Sequence, residues 1–343
     1  MTRRDRLSLR YRKLNKPFAR ISEFLKDKGR LMSVKCAFVF PGQGSQAVGM
    51  GKDFFDNSDT AKAMIQTASE RTGIDFEKLM FEANDKLGQT EFTQPAILLV
   101  GSIAHKLFSD ETKITPTLTL GHSLGEISAL VATGALDAID AVELVNLRGK
   151  LMAEACANQD VGMLVSLGLS DEVVEKICKA QRADGKQVWA ANYNADGQIV
   201  IAGIKKDLEE LVAVLKDAKA KRAMLLDMSV ASHCPLLQSA VDPLVVKLQE
   251  MIKDNFIAPV VSNVTAEKYN TKAEALELLA QQLVKPVKYK QMIANIDDEI
   301  DCYIEFGHGN VLKGLNRKAT KKPHFNVSNM ASLEETIAAI REL

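Results

Sequence analysis

The stretch Thr117-Leu118-Thr119-Leu120-Gly121-His122-Ser123-Leu124-Gly125 decides how the rest of the chain is read. Its first four residues have the length and composition of a short buried strand, and Leu124 to Thr133 continue as small and apolar residues at helical length. Between them lies G-x-S-x-G. A strand that turns through this pattern into a helix is the setting of a nucleophile elbow. The flanking glycines allow the sharp turn, so Ser123 Oγ stands exposed with the positive end of a helix beneath it. The backbone N–H of Leu124 is then free to bind an oxyanion.

Outward from this elbow, short apolar runs alternate with helical stretches, which predicts an α/β fold with a mostly parallel sheet. Upstream stands a strand at Val34 to Phe40, stopped by Pro41-Gly42, with helices at about 59–72 and 94–107. Downstream, helices follow at about 124–133 and 138–155. The segment from Gly162 to Met228 is organised differently. Strand, helix, strand, an Asp196-Gly197 turn, strand, helix and strand give the order βαββαβ, the split βαβ or ferredoxin-like arrangement. The α/β pattern resumes at Val260 to Asn263 and at Cys302 to Phe306. The expected organisation is therefore a large catalytic α/β unit over 32–156 and 229–343, with a central mostly parallel sheet interrupted by a small ferredoxin-like insert over 157–228.

Composition narrows the class. The chain has 343 residues, 46% of them hydrophobic, enough for a real core. Its five cysteines show no C-x-x-C spacing and read as free thiols, which points to a cytoplasmic protein without a disulfide framework. The longest apolar run, Ala96 to Ala104, is half of what a membrane span needs, so no membrane partner is expected. The formal net charge of zero hides an asymmetry. Residues 1–31 carry eleven Lys/Arg against three acids, a net of +8, and the remainder carries −8. This extension has no apolar h-region of a secretory signal and no alternating aromatic and basic residues for a nucleic-acid arm. It is expected to lie outside the fold, as a leader before a start at Met32.

Three further elements carry chemistry. Pro41-Gly42-Gln43-Gly44-Ser45-Gln46-Ala47 matches G-x-G-x-x-A after the first strand, but the polar, helical region 52–72 lacks the second strand and acid that a dinucleotide site needs. At the same sheet edge as the elbow, the N–H of Gln43 can complete an oxyanion hole with that of Leu124. Arg148 shares a helical stripe with Leu144, Val145, Leu151 and Met152, so it is expected to be buried and paired. An internal salt bridge, or a long side chain that reaches solvent, would satisfy it; so would a substrate carboxylate held by the guanidinium fork. For the general base, His308, in the loop after the last apparent strand, and His233, just after the insert, compete, and a generic hydrolase order slightly favours His308. His122, expected to point away along the elbow, and His105 and His324 read as structural or surface residues. No acid stands out as a third triad member and no spacing suggests a metal site.

Taken together, Pro41 to Gln46, Gly121-His122-Ser123-Leu124-Gly125-Glu126, Arg148-Gly149, Asn192 to Gly203, Ser232-His233, Ser262-Asn263-Val264, Pro286-Val287 and Gly307 to Leu315 occur in the order found in bacterial malonyl-CoA:acyl carrier protein transacylases. The resemblance covers about 32–317. It implies a hydrolase-like subdomain with a ferredoxin-like insert. It also implies malonyl transfer from malonyl-CoA to acyl carrier protein through a malonyl-serine at Ser123, with no cofactor and a monomeric protein. It assigns the base to His233, substrate binding to Arg148, Gln43 and Leu124, and orientation of the histidine to a backbone carbonyl in the region of Lys288. Acyl transfer from another extender such as methylmalonyl-CoA, a serine esterase or thioesterase, and a non-catalytic carrier-binding subunit are the alternatives. Carrier protein being acidic in the family, Arg317, Lys318, Lys321 and Lys322, or Lys285, Lys288 and Lys290, are candidates for docking it.

Overall fold

The computed structural model describes residues 34–343; the basic extension over 1–31 lies outside the described residues. Among the described residues, ten strands form two sheets. β1 (Cys36–Phe40), β2 (Leu118–Gly121), β7 (Val260–Val261), β8 (Lys268–Tyr269), β9 (Cys302–Phe306) and β10 (His324–Val327) make a six-stranded sheet in the order β10-β9-β1-β2-β7-β8. All neighbours in it are parallel except the short β7–β8 pair. β1, β2 and β9 are buried at every position, as strands covered on both faces are; β1 accordingly reads as a continuous apolar run, while Thr119 of β2 and Glu305 of β9 are buried polar positions. The second sheet is antiparallel, in the order β4 (Val188–Ala195), β5 (Gln198–Ile204), β3 (Val161–Leu167), β6 (Arg222–Leu225). The helices Asp171–Ala183 and Lys205–Asp217 follow β3 and β5, so the order is the expected βαββαβ.

The two sheets meet along β4. Val287 accepts from Tyr193 N at 2.8 Å and donates to the Ala191 carbonyl at 2.9 Å, which fastens the antiparallel sheet to the chain around Val287. Lys290 adds ion pairs to Asp171 and Asp196. The face of β3, β4 and β5 is thereby held over the C-terminal edge of the parallel sheet.

One helix departs from the reading by periodicity in an instructive way. The segment expected over 94–107 is helical over Thr90–Thr112, with Pro95 inside it. A proline there removes the N–H that would satisfy the Glu91 carbonyl. Asn146 Nδ2, on the helix Ala138–Cys156, donates to that carbonyl at 2.8 Å instead. Three residues on, Gly149 lets the two helices touch, since a Cβ there would lie 2.5 Å from Glu91 Cα. The proline thus docks one helix on the other, and this contact brings Arg148 beside Gln94. Among the described residues no helix is long and apolar enough to cross a membrane.

Candidate active site

The elbow has the geometry that its sequence demands. Ser123 has φ 53° and ψ −105°, a strained conformation for a residue with a side chain, between β2 and the helix Leu124–Thr133. The turn is tight enough that a Cβ on Gly125 would lie 2.0 Å from the Phe40 carbonyl oxygen of β1. Ser123 Oγ has two partners: His233 Nε2 at 2.7 Å and an Arg148 guanidinium nitrogen, which donates to it at 3.2 Å.

His233 is buried, and its Nδ1 lies 2.7 Å from the Gln282 carbonyl oxygen. A carbonyl only accepts, so Nδ1 carries the proton and Nε2 presents its lone pair to the serine hydroxyl. Burial, with Arg148 nearby, holds the imidazole down to about 3, so it is neutral at physiological pH and able to take a proton. The orienting carbonyl is that of Gln282, not one near Lys288 as expected. Lys288 N–H donates to the Asn263 carbonyl at 2.8 Å and Lys288 stands before the helix Tyr289–Ile296, whereas Gln282 closes the helix Lys272–Gln282. A role carried by the main chain leaves no mark on side-chain identity, so the sequence could not place it within a few residues.

Arg148 is 1% exposed and forms no ion pair with a carboxylate among the described residues. Its guanidinium donates to Gln94 Oε1 at 2.7 Å, Gln282 Oε1 at 3.1 Å and Ser123 Oγ, while Nε has no hydrogen-bond partner among the described residues. Burial lowers its pKa to about 10, still leaving it cationic. The internal salt bridge considered from sequence is therefore replaced by two neutral amides, and the fork keeps donor capacity toward the nucleophile. Gln94 and Gln282 were missed by the sequence reading. A lone glutamine in the apolar run Gln94 to Val100 was a usable signal; Gln282 carried none.

A cavity of about 260 Å³ opens on Ser123 and His233, and Arg148 stands directly behind its lining, in contact with Ser123 Oγ and Gln94. Gln43, Gln94, Ser123, Leu124 and His233 line one wall, and Met163, Val165, Val200, Asn192 and Asn194 of the antiparallel sheet line the other. Neither the Gln43 nor the Leu124 backbone N–H donates to an acceptor among the described residues, so both remain available to an oxygen in the cavity. His122 also lines it, its Nε2 2.7 Å from Asn194 Oδ1. That differs from the expectation that it points away. It ties the elbow to the antiparallel sheet. His308 does not line the cavity. Of the basic residues considered for docking, Lys290 is spent on its two ion pairs and Lys285 on Gln281.

A serine activated by an oriented imidazole, beside two free N–H donors and a buried cation, is equipped for acyl transfer from an acid-bearing acyl donor. Comparison with known proteins agrees with that chemistry. The family model described as the acyl transferase domain matches residues 37–337. The malonyl CoA-acyl carrier protein transacylase of Bacillus subtilis is 38% identical over 316 residues, 90% of this chain and 98% of that protein. The malonyl-CoA:acyl carrier protein transacylase of Helicobacter pylori superposes with a TM-score of 0.87 at 43% identity, covering 90% of this chain and 99% of the other. A malonyl-transacylase solved in complex with its type II PKS acyl-carrier protein superposes with a TM-score of 0.86 at 35% identity, over 89% and 99% of the two chains. The chain belongs to the acyl transferase family, among the malonyl-CoA:acyl carrier protein transacylases.

Proposed function

We propose that this chain transfers the malonyl group from malonyl-CoA to the phosphopantetheine thiol of acyl carrier protein, supplying extender units for fatty-acid synthesis. The observation that carries this reading is the buried Arg148 guanidinium at 3.2 Å from the nucleophilic oxygen. A cation fixed there, with amides rather than carboxylates as neighbours, suits an acyl group that ends in a carboxylate.

In the first half-reaction the malonyl carboxylate takes the Arg148 fork and the thioester carbonyl oxygen sits between the N–H groups of Gln43 and Leu124. His233 Nε2 removes the proton of Ser123 as Oγ attacks the carbonyl carbon, and the oxyanion is held by the two N–H donors. The C–S bond breaks, and CoA leaves as the thiol with the proton from His233. In the second half-reaction the carrier's thiol enters, gives its proton to His233, and attacks the malonyl-serine ester; the proton returns to Ser123 Oγ. The cycle is ping-pong and regenerates the enzyme. The apolar wall of Met163, Val165 and Val200 disfavours water as the second nucleophile.

The test is direct. Incubated with malonyl-CoA alone, the protein gains one malonyl mass on the peptide bearing Ser123, and added holo-acyl carrier protein removes it to the carrier. Steady hydrolysis without a carrier would make the chain a thioesterase; no acylation would refute enzymatic transfer.

The pH profile offers an independent check. His233 must be neutral to act as base, so activity is present above its folded-state value and is lost as pH falls through it. With that value near 3 rather than 6.5, the acid limb of kcat/KM for acylation is expected below pH 5. A limb between pH 6 and 7 would mean that the imidazole is not buried beside Arg148 in the working enzyme.

A further inference from the structure

Glu126, three residues after the nucleophile, is fully buried on the helix Leu124–Thr133, and the reaction steps above make no use of it. One of its carboxylate oxygens, Oε2, accepts two hydrogen bonds, from Gln282 Nε2 at 2.7 Å and from Asn263 N at 3.1 Å. Each of these partners grips the nucleophile's own backbone. Asn263 Oδ1 accepts from Ser123 N at 2.6 Å while its Nδ2 donates to the Gly121 carbonyl at 2.7 Å. Gln282 Nε2 donates to the Ser123 carbonyl at 3.0 Å, and its Oε1 accepts from Arg148.

The donor and acceptor inventory gives this arrangement one solution. A carboxylate accepts and a guanidinium donates, so a carboxamide between them must turn its NH₂ to Glu126 and its oxygen to Arg148. Without the acceptor at Glu126 the Gln282 NH₂ keeps only the Ser123 carbonyl, so it loses the shorter of its two bonds and the amide that presents its oxygen to Arg148 is held less firmly. The strained conformation of Ser123 would likewise lose support at its carbonyl.

We propose that Glu126 is a positioning residue for acyl transfer: through Gln282 it orients the Arg148 fork toward the acyl carboxylate, and through Gln282 and Asn263 it clamps both peptide groups of Ser123. This rests on the malonyl-transfer reading. The role is one of geometry, not of counter-charge. The Tyr269 hydroxyl stands beside the carboxylate, and a hydroxyl accepts as well as donates, so an uncharged glutamine can place its oxygen where Oε2 stands and leave its NH₂ to that hydroxyl.

The experiment compares acylation of Ser123 by malonyl-CoA and by acetyl-CoA in the wild type and in Glu126→Gln, Glu126→Asp and Glu126→Met. Glu126→Gln keeps the acceptor and should hold the malonyl-to-acetyl ratio within about threefold of wild type. Glu126→Asp keeps the charge but withdraws the acceptor by about 1.5 Å, and is expected to lower the ratio at least roughly tenfold. Glu126→Met, of similar length with only a weak thioether acceptor, should do the same and serves if the Asp variant does not fold. In a Gln282→Met background, adding Glu126→Asp should leave the ratio unchanged, because the path to Arg148 is already cut. A retained ratio in Glu126→Asp with a lost one in Glu126→Gln would show a counter-charge and overturn the proposal. Equal loss with both substrates in all three variants would reduce Glu126 to a structural residue and also overturn it. A wild type that prefers acetyl would instead overturn the malonyl reading itself.

Discussion

His233→Ala is expected to slow acylation of Ser123 by about 10³-fold or more, while His308→Ala changes it by less than roughly threefold. The difference follows from geometry. His233 Nε2 lies 2.7 Å from the serine oxygen with its tautomer set by the Gln282 carbonyl, whereas His308 does not line the cavity. Loss of the imidazole leaves the hydroxyl only Arg148, which favours the alkoxide but takes no proton, so a residual rate above background should persist. The measurement is quenched-flow trapping of the acyl-enzyme. It isolates the first half-reaction from carrier binding. A normal acylation rate in His233→Ala together with loss in His308→Ala would return the site to the generic hydrolase order.

How far the sequence could carry this site depends on what each residue does. Ser123 and the N–H groups of Leu124 and Gln43 were legible because a turn motif between a strand and a helix dictates backbone geometry. Arg148 was legible because a cation on an apolar helical stripe must find a partner. Its actual partners were not, since Gln94 and Gln282 lie 54 and 134 residues away in sequence and neither shares a motif with it. The helix Lys272–Gln282 and the strand β10 were not read at all. Choosing between His233 and His308 required the family resemblance, because both stand in loops where an α/β sheet could present a base. Glu126 was visible as the lone acid in an otherwise apolar or small helix, but searching for a carboxylate on histidine passed over one that acts on amides. The ferredoxin-like order was legible because its helices have one strongly amphipathic face each and its hairpin turn carries Asp196-Gly197. What could not be read was its placement, which depends on the pairing of β4 with Val287.

Arg148→Ala should lower malonyl transfer by roughly 10²- to 10³-fold and acetyl transfer far less, inverting the substrate preference. The selectivity of the wild type comes from two costs that this residue imposes. With malonyl, the substrate carboxylate neutralises a guanidinium that burial already disfavours, as its lowered value near 10 reflects. With acetyl, the same guanidinium keeps only its amide neighbours and the serine oxygen, with no anion to meet it and its Nε without a partner among the described residues. In the alanine variant the malonyl carboxylate would instead be buried without a cation, which costs about 3–5 kcal/mol for a pair broken on one side. Acetyl meets no such penalty and enters a pocket relieved of an unpaired charge. Arg148→Lys distinguishes charge from fork: an ammonium restores a cation but cannot span Gln94 and Gln282 while giving two parallel bonds to a carboxylate, so recovery should be partial. Initial rates with both thioesters, read as kcat/KM, decide the matter. Equal losses for malonyl and acetyl in Arg148→Ala would mean that the arginine supports the elbow rather than the acyl carboxylate.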